Sequence, residues 1–299
     1  MDTAEYLGGV LREALWNAHG VHYLLGKAGT ELLGNNQFAD KTLRGDIGAE
    51  DAVLRIFRRA NIPITVVSEE RGITVIGTNA QHLGVLDGLD GSTVYARNRN
   101  VGRYGTMFAI FSGLNPKYED YVCAGIVEHG TGVLVSAIRG QGATLERKVL
   151  PLHADKRTLP HLLTTSAERK SIHASDRKTL APLALIYCNL GWQSLRDFAF
   201  AHLRDLNLVS LYSTAAHFTD IATGCADALI ECTRKGNLEL AVGYALTREA
   251  GGVMQTAAGT DLGPEFFLSF AQDQQIPIIA AGTREVAAAL RERFSELTL

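Results

Sequence analysis

The stretch Val85-Leu86-Asp87-Gly88-Leu89-Asp90-Gly91-Ser92-Thr93 sets two carboxylates three residues apart on a glycine-broken turn, directly after apolar residues that read as a strand. Asp87 and Asp90 can aim oxygens at one point, and Gly88 and Gly91 permit a tight backbone path. Gly91-Ser92-Thr93 can present N–H groups and hydroxyls to an anion. Hard cations of the Mg²⁺ type take such oxygen ligands. Just upstream, Ile64-Thr65-Val66-Val67-Ser68 is a second β-branched run, and it leads into Glu69-Glu70 as Val85-Leu86 leads into Asp87. Two strands are therefore expected to deliver acids from their C-terminal ends.

Working outward, residues 3–33 carry helical periodicity, with Tyr6, Leu7, Val10, Leu11, Ala14 and Leu15 spaced to cover one face. Residues 45–60 read as a second amphipathic helix that Asn61-Ile62-Pro63 stops. Thr106–Ser112, Tyr121–Glu128 and Gly132–Ile138 are short β-rich runs punctuated by Gly, Pro and Asn, which suggests an antiparallel sheet. The polar, proline-flanked stretch from Leu150-Pro151 to Leu159-Pro160 marks a boundary between a first unit, 1–150, that carries the acidic loops and a second, 151–299, that completes the site. In that second half helices at Phe218–Gly224, Leu240–Ala250 and Arg284–Glu296 alternate with strands at Ala228–Glu231 and Pro277–Ala281. Such alternation is α/β.

Composition narrows the function classes. At 299 residues, 46% hydrophobic and 20% charged, the chain is ordinary for a globular protein with ample core. A formal net charge of −3 and the lack of a polybasic run give no electrostatic reason to expect nucleic acid or an anionic membrane as partner. No window approaches the roughly 18 to 20 apolar residues of a membrane span, and Met1-Asp2-Thr3-Ala4-Glu5 opens no signal peptide, so a cytoplasmic location is the expectation. Cys123, Cys188, Cys225 and Cys232 are scattered, with no C-x-x-C pair, and read as buried reduced thiols rather than zinc ligands or disulfides.

The order of blocks carries more than any one of them. Ser68-Glu69-Glu70 comes first, then Asp87-Gly88-Leu89-Asp90-Gly91-Ser92, then Gly236-Asn237-Leu238-Glu239-Leu240-Ala241-Val242-Gly243 leading into Arg248-Glu249-Ala250-Gly251-Gly252-Val253. This order resembles the inositol monophosphatase family of Mg²⁺-dependent, lithium-sensitive phosphatases, whose blocks read roughly Glu-Glu, Asp-Pro-Ile-Asp-Gly-Thr and Trp-Asp-x-Ala-Ala-Gly followed by Glu-Ala-Gly-Gly. Lys41, Asp46 and Glu50 fall where that family tends to carry Lys, Asp and Glu. Ala137 to Ala143 is similar to its Ala-x-x-Gly-x-Gly-Ala hairpin turn, Ser213-Thr214-Ala215-Ala216 to its Gly-Ser/Thr-Ala-Ala segment, and Gly224-Cys225-Ala226-Asp227-Ala228 to its Gly-x-x-Asp-Ala.

The resemblance implies an α/β (α+β) fold, the layered α-β-α-β-α sandwich of the sugar-phosphatase type, and hydrolysis of a small phosphate monoester by metal-activated water. It implies two or three Mg²⁺ ions per site. Glu69, Asp87 and the Leu89 carbonyl would hold one; Asp87, Asp90 and Glu239 a second; Asp46 and Glu70 are candidates, beside Glu69, for a third. Ser92 would help position the attacking water with Glu69 and Asp87, and Gly91, Ser92 and Thr93 would give the phosphate N–H bonds. Thr214, Ala215 and Glu231 would approach the substrate's ring. Four acids brought together without cations repel and raise one another's pKa values. A small phosphorylated partner and a homodimer are the implied associations.

Two departures stand out. Gly88 replaces the family's Pro, and Leu238-Glu239 replaces Trp-Asp. Glu carries one more methylene than Asp, about a bond length, in a setting where displacements of roughly 1 Å cost about two orders of magnitude in rate. Either the backbone withdraws to compensate, or the second metal is weak; the alternative reading is a catalytically weakened member that binds a phosphorylated ligand as a regulatory module. The stretch from Ser166 to Tyr212 also runs longer than the family's usual connector.

Overall fold

Leu7, Leu11, Ala14, Leu15 and Ala18 recur at helical spacing and are buried along one face of α1 (Thr3–Leu25). The computed structural model describes residues 3–99, 101–151, 159–165, 167–180, 183–190, 193–234 and 236–295. Tyr6, expected on the covered face, is exposed. The helix also ends earlier than its periodicity suggests. A 3₁₀ turn, Gly26–Thr30, follows Leu25, and the Tyr95 hydroxyl donates to the Gly26 carbonyl at 2.7 Å. A side chain at Gly29 would collide with that same hydroxyl.

After the turn come a hairpin, β1 (Leu32–Asn35) and β2 (Lys41–Leu43), then α2 (Arg44–Arg59). β3 (Ile64–Ser68), β4 (Gly72–Ile76), β5 (His82–Asp90), the short α3 (Ser92–Asn98), β6 (Gly105–Ser112), β7 (Tyr121–Glu128), β8 (Val133–Ile138) and β9 (Gly142–Arg147) complete the first half. The second half holds α4 (Leu159–Thr164), β10 (Lys170–Ile172), β11 (Leu185–Cys188), α5 (Gln193–His202), β12 (Asn207–Val209), α6 (Thr214–Ala222), β13 (Ala228–Cys232), α7 (Leu238–Glu249), β14 (Val253–Thr256), β15 (Pro277–Ala281) and α8 (Arg284–Ser295). The long connector therefore has secondary structure of its own. Much of the expected boundary, 152–158, lies outside the described residues.

Among the described residues the larger sheet has eight strands in the order β10-β9-β8-β7-β6-β5-β3-β4, and a second has five in the order β12-β11-β13-β15-β14. α1 and α2 cover the outer face of the first through Leu11, Leu15, Val53 and Phe57 against Val66, Phe108 and Ile110. α6 and α7 lie between the sheets, where Phe218, Leu246 and Ala245 pack with Val85, Met107 and Ile126 on one side and Leu229 and Ile278 on the other. α5 and α8 close the far face through Leu195, Phe198, Leu290 and Phe294. The order of layers is α-β-α-β-α, as the resemblance implies.

This stacking explains why the strands read as nearly continuous apolar runs. β6 and β7 are buried on both faces from Gly105 to Phe111 and from Cys123 to Glu128. Among the described residues of the larger sheet β3 and β5 are the parallel pair, with Ser68 opposite Leu86, so their C-terminal ends deliver Glu69 and Asp87 side by side. The family-like Glu249 ends α7 and accepts from the N–H groups of Gly140 and Gly142, both at 2.8 Å, and from the Tyr121 hydroxyl at 2.7 Å, which pins the β8–β9 turn. Gly251, at φ 90°, and Gly252, whose N–H returns to the Thr247 carbonyl at 2.8 Å, close α7 as a left-handed cap. Of the four thiols, Cys225 is exposed rather than buried, because it sits in the turn after α6; all four are free.

Candidate active site

Asp87 and Asp90 stand on the last residues of β5, not on a free turn. The pairing of β5 with β6 slips between Asp87 and Asp90, and this bulge turns both carboxylates toward the same side. Gly88 serves the bulge by size rather than by unusual backbone angles: a Cβ there would lie 2.6 Å from the Asp46 carbonyl and 2.9 Å from Glu50 Cγ. Gly91 does need its freedom, since φ is 81° where the chain turns into α3.

Glu239 arrives from the first turn of α7 and meets the two aspartates. One oxygen from each of Asp87, Asp90 and Glu239 lies within 4.8 Å of the others, and all three side chains are buried. Each aspartate is held in place. Asp87 Oδ1 accepts from the Leu89 N–H at 2.9 Å, and Asp90 Oδ2 accepts from the Ser213 hydroxyl at 2.6 Å and the Ala215 N–H at 2.8 Å. The start of α6 is thus tied to the acidic loop. Glu69 accepts from Asn36 Nδ2 at 2.7 Å, a link from the β1–β2 hairpin, and Glu70 accepts from the Thr42 hydroxyl of the same hairpin. Asp46 caps its own helix, taking the Leu43 N–H, and Glu50 braces α2 to the end of β3 through the Ser68 hydroxyl at 2.8 Å and the Glu70 N–H at 3.1 Å.

Burial dominates the electrostatics. It pushes the Asp87 carboxyl well up, and the charges of Glu69 and Asp90 push it further. Burial likewise raises Asp46 to about 8, Glu50 to about 7 and Glu69 to about 7. Such a set, all oxygen and jointly short of positive charge, fits hard divalent cations: a cation would stabilise the ionised form of every member at once. Ser92 opens α3 half-buried beside Gly91, and Thr93 is exposed. Thr214 and Ala215 lie at the buried start of α6, where the Thr214 hydroxyl donates to Glu231 at 3.2 Å. Glu231 also accepts from Asn189 Nδ2 at 3.0 Å and from the Cys232 N–H at 3.0 Å.

Sequence reading passed over several neighbours. Arg234 forms an ion pair with Glu239, yet no family-like block flags it. Behind β5, Thr106 donates to the Gly88 carbonyl at 2.7 Å and contacts His129 Nε2 at 3.0 Å; His129 in turn stacks on His19, meeting its Nδ1 at 3.3 Å, and lies tilted against the ring of His22. Burial lowers His19 to about 4 and His22 to about 3, so this wall behind the site is uncharged at neutral pH. His19, His22 and His129 are distant in sequence, and only the packing of α1 against β6 and β7 joins them.

Residues 24–298 match the family model for the inositol monophosphatase family. A fructose-1,6-bisphosphatase/inositol-1-monophosphatase of Methanothermobacter thermautotrophicus is 26% identical over 226 residues, 73% of this chain and 71% of that protein. Inositol monophosphatase from Anabaena superposes with a TM-score of 0.70 at 19% identity, covering 99% of this chain and 97% of its own. The extragenic suppressor protein suhB from Bartonella henselae gives a TM-score of 0.73 at 19% identity, covering 98% and 99%.

Proposed function

Because the chain belongs to the inositol monophosphatase family, whose members are metal-dependent phosphoric monoester hydrolases, we propose that it hydrolyses a small polyol or sugar phosphate with Mg²⁺ bound at Asp87, Asp90 and Glu239, with Glu69 and the Leu89 carbonyl completing the set. The observation that carries this reading is the convergence of three buried carboxylates within 4.8 Å at the end of one strand and the start of one helix. Bound divalent ions would supply the positive charge that offsets the phosphate dianion, favours attack by water and eases departure of the alkoxide.

The remaining work falls to the chain's own groups. Glu69 and the Ser92 hydroxyl hold the attacking water. The first N–H groups of the Gly91-Ser92-Thr93 segment have no partners within α3 and face an anion with the favourable end of the backbone dipoles. Thr214 and Ala215, fixed through Asp90 and Glu231, set one wall against the substrate's ring. Asp46 and Glu70, each held by the β1–β2 hairpin or its junction with α2, stand as reserve donors for a further cation.

Release of inorganic phosphate from inositol 1-phosphate and fructose 1,6-bisphosphate, measured with Mg²⁺ and with EDTA, tests the proposal. Turnover that depends on Mg²⁺ and falls by about 100-fold or more in Asp87→Asn is expected, since loss of a ligand should exceed the 10- to 100-fold effects of outer partners. Binding of these esters without turnover would favour the regulatory module instead.

A further inference from the structure

Arg234 is the one basic side chain among the described residues that the structure pairs with the acidic trio. Its Nη2 contacts Glu239 Oε1, and the two side chains are 34% and 10% exposed. The backbone on either side is built to hold it there. The Arg234 N–H donates to Asn237 Oδ1 at 2.7 Å, and Asn237, buried and at φ 45°, donates through Nδ2 to the Phe270 carbonyl at 2.9 Å. Before it, the Thr233 N–H donates to the Ile276 carbonyl, and the Thr233 hydroxyl accepts from the Ile276 N–H and donates to the Gln274 carbonyl.

From this geometry we infer that Arg234 is a tethered counter-cation that competes with a divalent ion for Glu239, and so sets the metal affinity of the site; the inference rests on the metal-binding role proposed above. Glu239 is the acid whose side chain is longer than the family's Asp. The extra methylene lets one carboxylate face both the aspartate pair and the guanidinium, which accounts for a departure that otherwise looks like decay. An ion entering the trio must displace the guanidinium or share its carboxylate against a like charge. Arg234 is a positioning residue acting through Glu239.

Calorimetric titration with Mn²⁺, on the full chain freed of metal with EDTA, compares wild type with Arg234→Gln, Arg234→Lys and the double variant Arg234→Gln/Glu239→Gln. Arg234→Gln should tighten the weaker class of Mn²⁺ sites by about tenfold, the factor expected for one charge-assisted bond. Arg234→Lys should stay near wild type, since the charge is what competes, and the gain should vanish in the double variant. The melting temperature of Arg234→Gln should be lower than wild type in EDTA and recover at saturating Mn²⁺. Equal or weaker Mn²⁺ binding by Arg234→Gln overturns the inference while leaving the metal site standing; no Mn²⁺ binding by wild type or variant overturns both. Should Arg234→Gln not fold, NMR of the wild-type arginine side chains under Mg²⁺ decides: the Arg234 guanidinium signal should move as the ion binds, and an unmoved signal sinks the idea.

Discussion

A single methylene shows how much rests on one residue in this site. Glu239 lies within the 4.8 Å trio and also bonds Arg234, so its length is used in two directions. Shortening it by Glu239→Asp should withdraw the carboxylate by about a bond length and lower kcat by about 100-fold, with a higher Mg²⁺ requirement, as steady-state kinetics over a Mg²⁺ titration would show. A higher kcat in the variant would mean that the natural site has decayed. Gly88 offers a test without catalysis. Its Cβ position is filled by the Asp46 carbonyl and Glu50, so Gly88→Ala should destabilise by about 1–3 kcal/mol, seen as a lowered urea midpoint. The carboxylates were legible in sequence because acids after β-branched runs form a pattern. Arg234 was not, because its partner is reached through a loop shape that no spacing encodes.

At the scale of elements, the periodic segments were readable and the short ones were not. β3, β6, β7 and β15 match their apolar runs closely, and α2 and α7 fall within two residues of expectation, because each is long enough for its burial pattern to repeat. β10 and β12 have three residues each and β1 is exposed throughout, so no alternation marks them. α6 is set against the first sheet by Arg103, whose guanidinium bonds Glu128 at 2.6 and 3.0 Å and Asp220 at 2.6 and 2.8 Å, while Tyr187 from β11 also donates to Asp220. Glu128 is 1% exposed, so removing the cation strands a buried charge. Arg103→Met should cost about 3 kcal/mol, and Mg²⁺ affinity should fall with it, since the far end of α6 holds Asp90. Unchanged urea stability would show that the pair of carboxylates is neutralised some other way.

Across the whole molecule, two buried populations titrate in opposite senses and make the metal-free protein's stability a function of pH. Burial holds Asp46 at about 8 and Glu50 and Glu69 at about 7, against ordinary values of 3.8 and 4.5, so the fold binds protons that the unfolded chain has released. Their contribution is present at low pH and is lost as pH rises toward 8. His19 and His217 at about 4 and His22 at about 3, against an ordinary 6.5, are neutral in the fold, so their contribution is lost as pH falls below 6.5 and is constant above it. Between about 4.5 and 6.5 the two populations oppose each other; above 6.5 the acids act without opposition. The melting temperature in EDTA should therefore fall from pH 6.5 to 8. Saturating Mg²⁺ should flatten that decline, because a cation stabilises the ionised carboxylates, and its binding should release protons measurable by calorimetry in buffers of different ionisation heat. A melting temperature in EDTA that stayed level or rose across that interval would show that the acids are already ionised in the fold, held by Arg234 and their hydrogen bonds, and that Mg²⁺ binds without displacing a proton.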